Sequence, residues 1–364
     1  MVKKILQILA YTAVWSVIIW CLIFATGKSV AHREEQHITN LRISISPTGE
    51  LQSLFSEENV IELLNQNECH PMGKKRDDID ISGIRDLIMT NECVQDCNAW
   101  NTYQGIFHIT VDTYTPLFRL MVDNRDCYIT SEGYVFHCNT GGSCYCDIVT
   151  GQYVPPFKSD FKGDLGKLFR SEINPLKKQL ETLHNNEKML KRQVDSLNKK
   201  FRERKNARLK KNFMESSKHF EKRKADFAAE TNYLCKKIEE ELSQKKNTLV
   251  QVQNSLDAQY QLVRNTEHAH VQFRKLLDMI KLLKNNEFFK AETVQIVAGT
   301  TSVGNITIDF VMRSGNYSLK LGELEGFEQK LQKAKCFLEK TLYKHKLGEM
   351  TEVDVSVNGI VITR

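Results

Sequence analysis

Glycine and proline are scarce in this chain, and their distribution is uneven. The 364 residues include 18 glycines and 6 prolines, and neither residue occurs between Leu176 and Ala298. Because both interrupt helices, a long run without them that is rich in Lys, Glu, Gln, Asn and Leu predicts a helical segment. The residues on both sides instead alternate between apolar and polar over short stretches, which predicts strands and turns.

Recognisable enzyme motifs are missing as well. The sequence has no Gly-x-Ser-x-Gly, no His-Glu-x-x-His and no glycine-rich phosphate loop, and its ten histidines are scattered. We therefore expect a protein that is not an enzyme, with no catalytic residue and no cofactor. The net charge of +6 is concentrated between Lys199 and Lys224, which hold twelve basic residues and three glutamates. The rest of the chain is slightly acidic, so no nucleic-acid partner is expected.

One apolar run is long enough to cross a membrane. Residues 5–25 are interrupted only by Gln7, Thr12 and Ser16. As a helix the run spans about 31 Å, close to the thickness of a bilayer core. Two lysines precede it, so we expect residues 1–4 in the cytoplasm, a single-pass anchor over 5–26 and the remainder outside. A cleaved signal peptide ending near Ala31 is the alternative, and the length of the run favours the anchor.

Cysteines are clustered. Seven of the ten fall between Cys69 and Cys146, and in an oxidising compartment such a cluster is typical of disulfides. Cys127 and Cys138 flank the hairpin-like segment 128–136 and are the predicted disulfide pair, although the full connectivity cannot be read from sequence. Zinc binding is the less favoured alternative, because the Cys-x-x-x-Cys and Cys-x-Cys spacings differ from the usual Cys-x-x-Cys. No metal site is predicted.

The helical segment carries a heptad pattern in both of its arms. Eight of nine successive a/d positions in the first arm are apolar, and the exception is Glu187. The last arm, Leu249 to Ile280, repeats this spacing with polar interruptions at Gln259, Thr266 and His270. Because the flanks read as one β domain, we expect an antiparallel coiled-coil hairpin over 161–285 with its tip near 212–218 and arms of about 55–60 residues. Self-association through one long helix is the alternative. The basic middle is interpreted as a solvated face, with contact to an anionic surface as the second hypothesis.

The remaining residues predict two further modules in an α+β protein. Residues 40–122 show the order β-α-α-β-β, with a second helix that extends from Ile84 towards Val94 and a last strand over 114–121. An antiparallel β domain is then expected in two parts, 123–160 and 286–364, and the second part includes a C-terminal helix and strand.

With the helical segment set aside, the chain resembles the bacterial cell-division family FtsQ (DivIB), whose first outer module is a POTRA domain. The segment Thr115-Pro116-Leu-Phe-Arg119 is similar to an Arg-x-Pro-hydrophobic motif of that family, with Tyr114 in place of the Arg. Residues 128–136 resemble its hairpin, and Leu319-Lys-Leu321-Gly322 resembles its Leu-Gly turn. Residues 353–361 resemble the closing strand, with Ser356 and Val357 in place of Arg-Tyr.

This resemblance implies a non-enzymatic scaffold of the division machinery at the septum, anchored in the bacterial inner membrane. Its implied partners are the small single-span proteins FtsB and FtsL, bound by strand addition at the edge of the C-terminal sheet, with a link to septal wall synthesis. The residues predicted to carry this binding are Val353, Val355, Val357, Ile360 and Ile362. Packing in the β core is the alternative role for these side chains. For the whole chain, the alternative is an unrelated membrane-anchored coiled-coil adaptor or a disulfide- or metal-stabilised sensor.

Overall fold

The computed structural model describes residues 12–25, 36–46, 54–138, 144–213, 215–314, 317–342, 351–357 and 361–363. These residues form two compact units. One comprises residues up to 164 together with 277–300 and 306–364, and the other comprises 165–276 and 301–305. The first unit contains a small three-stranded sheet and a ten-stranded sheet.

A small α+β module opens the first unit. Its elements are β1 (Asn40–Ser46), α1 (Glu57–Gln66), a 3₁₀ turn (Arg76–Asp78), α2 (Ile81–Met89), β2 (Val94–Asn101) and β3 (Ile106–Thr113). The central strand β3 pairs parallel with β1 and antiparallel with β2. Ser56 begins α1 through a capping box, in which its hydroxyl accepts from the Asn59 N–H and the Asn59 side chain accepts from the Ser56 N–H. The observed order is β-α-α-β-β as predicted, but its last two strands are β2 and β3, whereas the prediction placed them at residues 106–112 and 114–121.

Two boundaries of this module differ from the prediction. Val94 begins β2 and does not extend α2, and a register shift between Val94 and Asp96 breaks the alternation of that strand. Residues 114–121 were expected to close the module, but β4 (Pro116–Val122) belongs to the ten-stranded sheet. That prediction is wrong, because the sequence of an extended segment does not reveal which sheet it joins.

The second unit is built from two long helices. These are α3 (Leu165–Lys205) and α4 (Ser217–Lys284), about 62 and 102 Å long at 1.5 Å per residue. Cross-helix contacts join Glu172 to His270, Lys177 to Glu267 and Glu187 to Gln253. As the residue number rises in α3 it falls in α4, so the two helices are antiparallel.

The connection between these helices explains their unequal lengths. Residues 206–213 and 215–216 are not helical and lie against the first turns of α4. Arg223 of α4 donates to the carbonyl oxygen of Lys210 at 3.1 Å and to the Glu215 carboxylate at 2.6 Å. The connector is rich in basic residues and lacks the apolar a/d pattern, so a helix there would have no apolar seam to bury. The equal arms of 55–60 residues are therefore a wrong prediction, with 41 and 68 residues observed.

Polar residues that interrupt the heptads contact the opposite helix. Gln259 donates to the Leu176 carbonyl at 3.1 Å and to Gln179 at 3.2 Å, and Gln253 donates to Glu187 at 3.1 Å. The apolar positions around them are buried, among them Ile173, Leu190, Val194, Leu197, Leu256 and Val263. Because these polar groups find their partners only in this alignment, they specify the register in which the helices meet.

The large sheet contains both parallel and antiparallel pairs, and its strands come from the segments that precede and follow the two long helices in the chain. After β4 its strands are β5 (Arg125–Thr130), β6 (Tyr134–Phe136), β7 (Asp147–Gly151), β8 (Gly163–Asp164), β9 (Thr293–Thr300), β10 (Ile306–Met312), β11 (Ser318–Glu323), β12 (Glu352–Asp354) and β13 (Ile362–Thr363). Their spatial order is β13-β12-β11-β10-β9-β7-β4-β5-β6-β8. The pairs β4–β7, β7–β9 and β11–β12 are parallel, so the prediction of an antiparallel domain is wrong in this respect.

Two short helical elements accompany this sheet. Helix α5 (Glu287–Glu292) precedes β9, and α6 (Phe327–Leu342) connects β11 to β12. Parallel neighbours require a crossover connection, and α6 supplies it for β11 and β12. Its buried face comprises Lys330, Leu331, Ala334 and Leu338. Burial lowers the pKa of the Lys330 ammonium, which donates to the Glu323 carbonyl at 2.6 Å.

The predicted membrane anchor is described only in part. Residues 12–25 are helical, and their large apolar side chains are exposed, including Trp15, Trp20 and Ile23. The rest of the predicted segment 5–26 lies outside the described residues. Within the described ranges, no helix combines the length and the apolar character needed to cross a membrane.

Gly151 provides a test of how the two parts of the large sheet are joined. Its φ is +115°, and a Cβ at this position would overlap the carbonyl oxygen of Ala298 on β9. Gly151→Ala should therefore strain the backbone and push β7 away from β9, at a cost of roughly 2–5 kcal/mol of unfolding free energy. Chemical denaturation of the full chain measures this loss.

The matched control is Gly73→Ala. Gly73 also has a positive φ, +77°, but no atom lies within 4 Å of the place its Cβ would occupy. This substitution should cost only the backbone strain, about 1–2 kcal/mol. Equal losses for the two variants would contradict the assigned contact between β7 and β9.

Candidate partner-binding edge of the large sheet

The predicted binding residues lie at one end of the ten-stranded sheet. Val353 and Val355 are fully buried, so their side chains pack in the core. The backbone of this segment is also engaged, because β12 pairs with β11 on one side and the Val355 N–H donates to the Lys320 carbonyl at 2.9 Å. The core-packing role expected as the alternative is thus observed for both valines.

The outermost strand at this end is β13. It pairs antiparallel with β12 through Val353 opposite Thr363 and Asp354 opposite Ile362. The open edge predicted for residues 353–362 is therefore offered by β13, while β12 is enclosed between two strands. Ile360 lies outside the described residues, as does the Asn358-Gly359 pair. Val357 is 52% exposed, and its carbonyl accepts from Lys333 of α6 at 2.9 Å.

A close approach between Gly322 and Ser356 positions this end of the sheet. Gly322 has a φ of +70° at a register shift between β10 and β11. A Cβ on Gly322 would lie 2.6 Å from the Cβ of Ser356. The backbone N–H of Ser356 in turn donates to the Asp354 carboxylate at 2.8 Å. Glycine is required at 322 because the chain after β12 passes directly over it.

Charged residues form a row across these strands. Lys320 of β11 stands opposite Asp309 of β10 and opposite Asp354 of β12. Its ammonium also lies 2.8 Å from the Glu352 carboxylate, and this contact raises the pKa of Lys320. Burial raises the pKa of Asp309, with further contributions from the charges of Glu352 and Asp354, while Lys320 opposes the shift. The Lys320 ammonium thus contacts the Glu352 carboxylate, and Asp309 and Asp354 are its neighbours on the two adjacent strands.

At the other side of the large sheet, aromatic residues join it to the small module. Tyr114, between β3 and β4, stacks on Tyr134 at 4.3 Å and on Phe136 at 5.3 Å between ring centroids. Tyr128 and Phe136 belong to the same buried cluster as the core of the small module. The tyrosine found in place of the expected arginine therefore has a packing role. No local sequence pattern indicates this role of Tyr114, because Tyr134 and Phe136 lie 20 and 22 residues further along the chain.

The disulfide between Cys127 and Cys138 stays a prediction, and the register of the hairpin argues against it. In the hairpin of β5 and β6, Tyr128 stands opposite Phe136 and Ile129 opposite Val135. Continued by one residue, this register places Cys127 opposite His137 and turns Cys138 to the other face of the sheet. Cys138 packs against the shared core cluster, which includes Tyr128 and Phe136. The hairpin itself is confirmed.

Burial disfavours the reactive thiolate form at three other cysteines of the cluster. Burial raises the pKa of Cys97 to about 11, of Cys127 to about 12 and of Cys146 to about 11. Since the thiolate is the reactive species, such thiols are poor nucleophiles at neutral pH. Within the described residues, no group of three or more His, Cys, Asp or Glu side chains is placed to hold a metal ion.

Two family models match separate parts of the chain. The model described as FtsQ/DivIB, C-terminal related, matches residues 242–363, and a POTRA-like domain model matches residues 39–112. The first match begins inside α4 and runs through β13, so it includes the end of the helical segment as well as the terminal strands. The second covers β1 to β3 almost completely. No curated protein matches the chain significantly. Together the two matches support an FtsQ/DivIB-like protein.

Asp309 allows a test of the charge row through pH. Its pKa is raised in the folded protein, so the folded state binds more protons than the unfolded state as pH falls towards the ordinary carboxyl range. The favourable contribution of Asp309 to the free energy of unfolding is therefore present at acid pH and is lost as the pH rises through its folded-state pKa. Asp309→Asn should raise the melting temperature at pH 7 by about 1–3 °C, and the difference should disappear at acid pH.

Asp126→Asn is the control with the opposite sign. Arg119 donates to Asp126 at 2.6 and 2.7 Å and lowers the pKa of that carboxyl. Its stabilising effect is present above the ordinary carboxyl pKa and is lost as pH falls through the folded-state value. This variant should be slightly less stable than the parent at pH 7 and equal to it at acid pH. Thermal unfolding between pH 3 and 8 measures both, and the same trend in both variants would contradict the assignment.

Proposed function

We propose that this FtsQ/DivIB-like protein is a non-enzymatic scaffold of the bacterial division machinery, held in the cytoplasmic membrane by its N-terminal apolar segment. The observation that carries the proposal is the FtsQ/DivIB C-terminal related match over 242–363, the part of the chain that supplies one end of the large sheet. The apolar run over residues 5–25 supports an anchor with the two sheets on the outer side of the membrane.

Strand addition at β13 is the binding mode that we propose for its partners. An outer strand offers unpaired backbone N–H and C=O groups, and a partner segment in extended conformation pairs with them. Val353 of β12 and Val355, which follows this strand, are fully buried and fix the strand that pairs with β13. The partners are small single-span division proteins of the FtsB and FtsL kind, and through them the scaffold is connected to septal wall synthesis.

The division role is tested by localisation. A fluorescently tagged full chain, expressed in the native cell in place of the untagged protein, should concentrate at midcell in dividing cells. A uniform distribution around the membrane would reject the division scaffold and favour an unrelated anchored adaptor. Residues 1–11 should be retained in the tagged protein, because the proposed anchor begins there.

Proline substitutions at the two residues of β13 test strand addition. Successive N–H groups along a strand point to opposite sides, so one of the amides of Ile362 and Thr363 faces β12 and the other faces outward. Proline removes that N–H. The variant that keeps the parental melting temperature identifies the outward amide, and we expect it to lose at least tenfold in partner capture. Capture is measured by co-purification of single-span membrane partners from native membranes.

Val311→Ala serves as the side-chain control. Val311 is an exposed residue of β10, an inner strand of the same sheet, and its substitution leaves every backbone N–H in place. Capture by this variant should equal that of the parent. If both proline variants fold with parental stability and capture partners normally, β13 is not the binding edge, whatever the outcome of the localisation experiment.

A further inference from the structure

A second cysteine pair lies where the small module meets the large sheet. Cys93 directly precedes β2 and is fully buried, and Cys138 follows β6. The Cys93 Sγ lies 3.7 Å from the carbonyl oxygen of His137, the residue that is bonded to Cys138. Cys138 Sγ donates to the Leu54 carbonyl at 3.7 Å, and both cysteines pack in the same buried cluster. The neighbouring Cys138 thiol, together with burial, raises the pKa of Cys93.

The backbone on both sides of this pair is fixed. The Cys93 N–H donates to Asn91 at 3.0 Å, and its carbonyl accepts from the Tyr114 N–H at 3.0 Å. The His137 N–H donates to the Glu92 carboxylate at 3.2 Å, so the residues that precede both cysteines are bonded to each other. These bonds fix the two backbone segments that carry the cysteines next to each other.

We propose that Cys93 and Cys138 form a disulfide that covalently joins the small module to the large sheet. Two thiols lose two protons and two electrons, one S–S bond forms, and an incoming disulfide of a thiol-exchange protein or of oxidised glutathione is reduced to two thiols. That these residues lie on the outer side of the membrane, where such an oxidant is present, rests on the proposed function. The pairing itself rests on the positions of the two cysteines in the fold.

The position of this bond gives it a structural role. It closes the chain between residues 93 and 138, which includes β2 to β6 and both partners of the Tyr114 stack. Cross-linking this segment restricts the unfolded chain, because its ends can no longer separate. The remaining cysteines of the cluster are not needed for this bond.

The pairing is tested on the purified full chain in glutathione redox buffer. Free thiols are blocked with N-ethylmaleimide, and unreduced peptides are examined by mass spectrometry for a link between residues 93 and 138. The link should form in the parent and in the controls Cys97→Ser and Cys127→Ser. It should be absent from Cys93→Ser and Cys138→Ser. A link between residues 127 and 138, or no link at residue 93, would overturn the proposal.

Thermal unfolding gives a second measurement that does not depend on the buried Cys93 position tolerating serine. Oxidation should raise the melting temperature of the parent by about 5–10 °C. In Cys138→Ala, at a position that is only partly buried, oxidation should leave it unchanged. An equal gain in that variant would also overturn the pairing.

Thiol trapping in intact native cells separates this inference from the proposed function. A linked pair in cells supports both the pairing and an oxidising location. If the link forms in glutathione buffer but residues 93 and 138 are reduced in cells, the pairing stands and the proposed outer location fails.

Discussion

The parallel pairing of β7 with β9 is the constraint on which the first unit depends. Strands β4 to β8 precede the two long helices in the chain, and β9 to β13 follow them. In the sheet, β7 stands between β4 and β9, so the register of Val149 with Ile296 and of Gly151 with Ala298 joins the two halves. Gln295 adds a side-chain bond to Thr150 at 2.6 Å. Pairing two strands that lie so far apart in the chain costs conformational entropy. The cost is smaller when the residues between them fold so that the chain returns to where it left. Two antiparallel helices do so by their geometry, and the polar contacts of Gln253 and Gln259 specify that geometry.

Local patterns allowed much of the fold to be predicted, and non-local pairing accounts for what was missed. The Ser56 cap, the hairpin of β5 and β6 and the helical character of the long segment each depend on neighbours in sequence. The assignment of β4 failed because its residues are buried at nearly every position, a pattern that suits any internal strand. Strand β2 escaped notice because its sequence, VQDCNAWN, is largely polar and its register shift interrupts the alternation. Neither feature can be resolved from one segment alone, since burial on both faces and register shifts are properties of the assembled sheet.

The candidate binding edge shows the same division between local and non-local information. Packing in the core is the alternative role expected for Val353 and Val355, and both are buried. Which edge of a strand is open depends on whether later residues return to pair with it, and β13 pairs with β12 in this way. Binding at the edge predicted over residues 353–362 stays a prediction. The charge row was also invisible in sequence, because Asp309, Lys320 and Asp354 become neighbours only through the register of three strands.

The junction of the two sheets determines how firmly the small module is joined to the large sheet. Here the junction consists of a shared apolar core with Phe107, Ile109, Tyr128 and Phe136, a tyrosine stacked on both its β6 neighbours, and paired polar contacts around Glu92 and His137. Packed cores resist continuous deformation, so this shared core couples the small module to the large sheet. The absence of the expected arginine at 114 fits this arrangement, because an aromatic ring extends the shared core where a charge would have to be paired or solvated. The residues that join the two sheets therefore act through packing, and a search for binding motifs would not identify them.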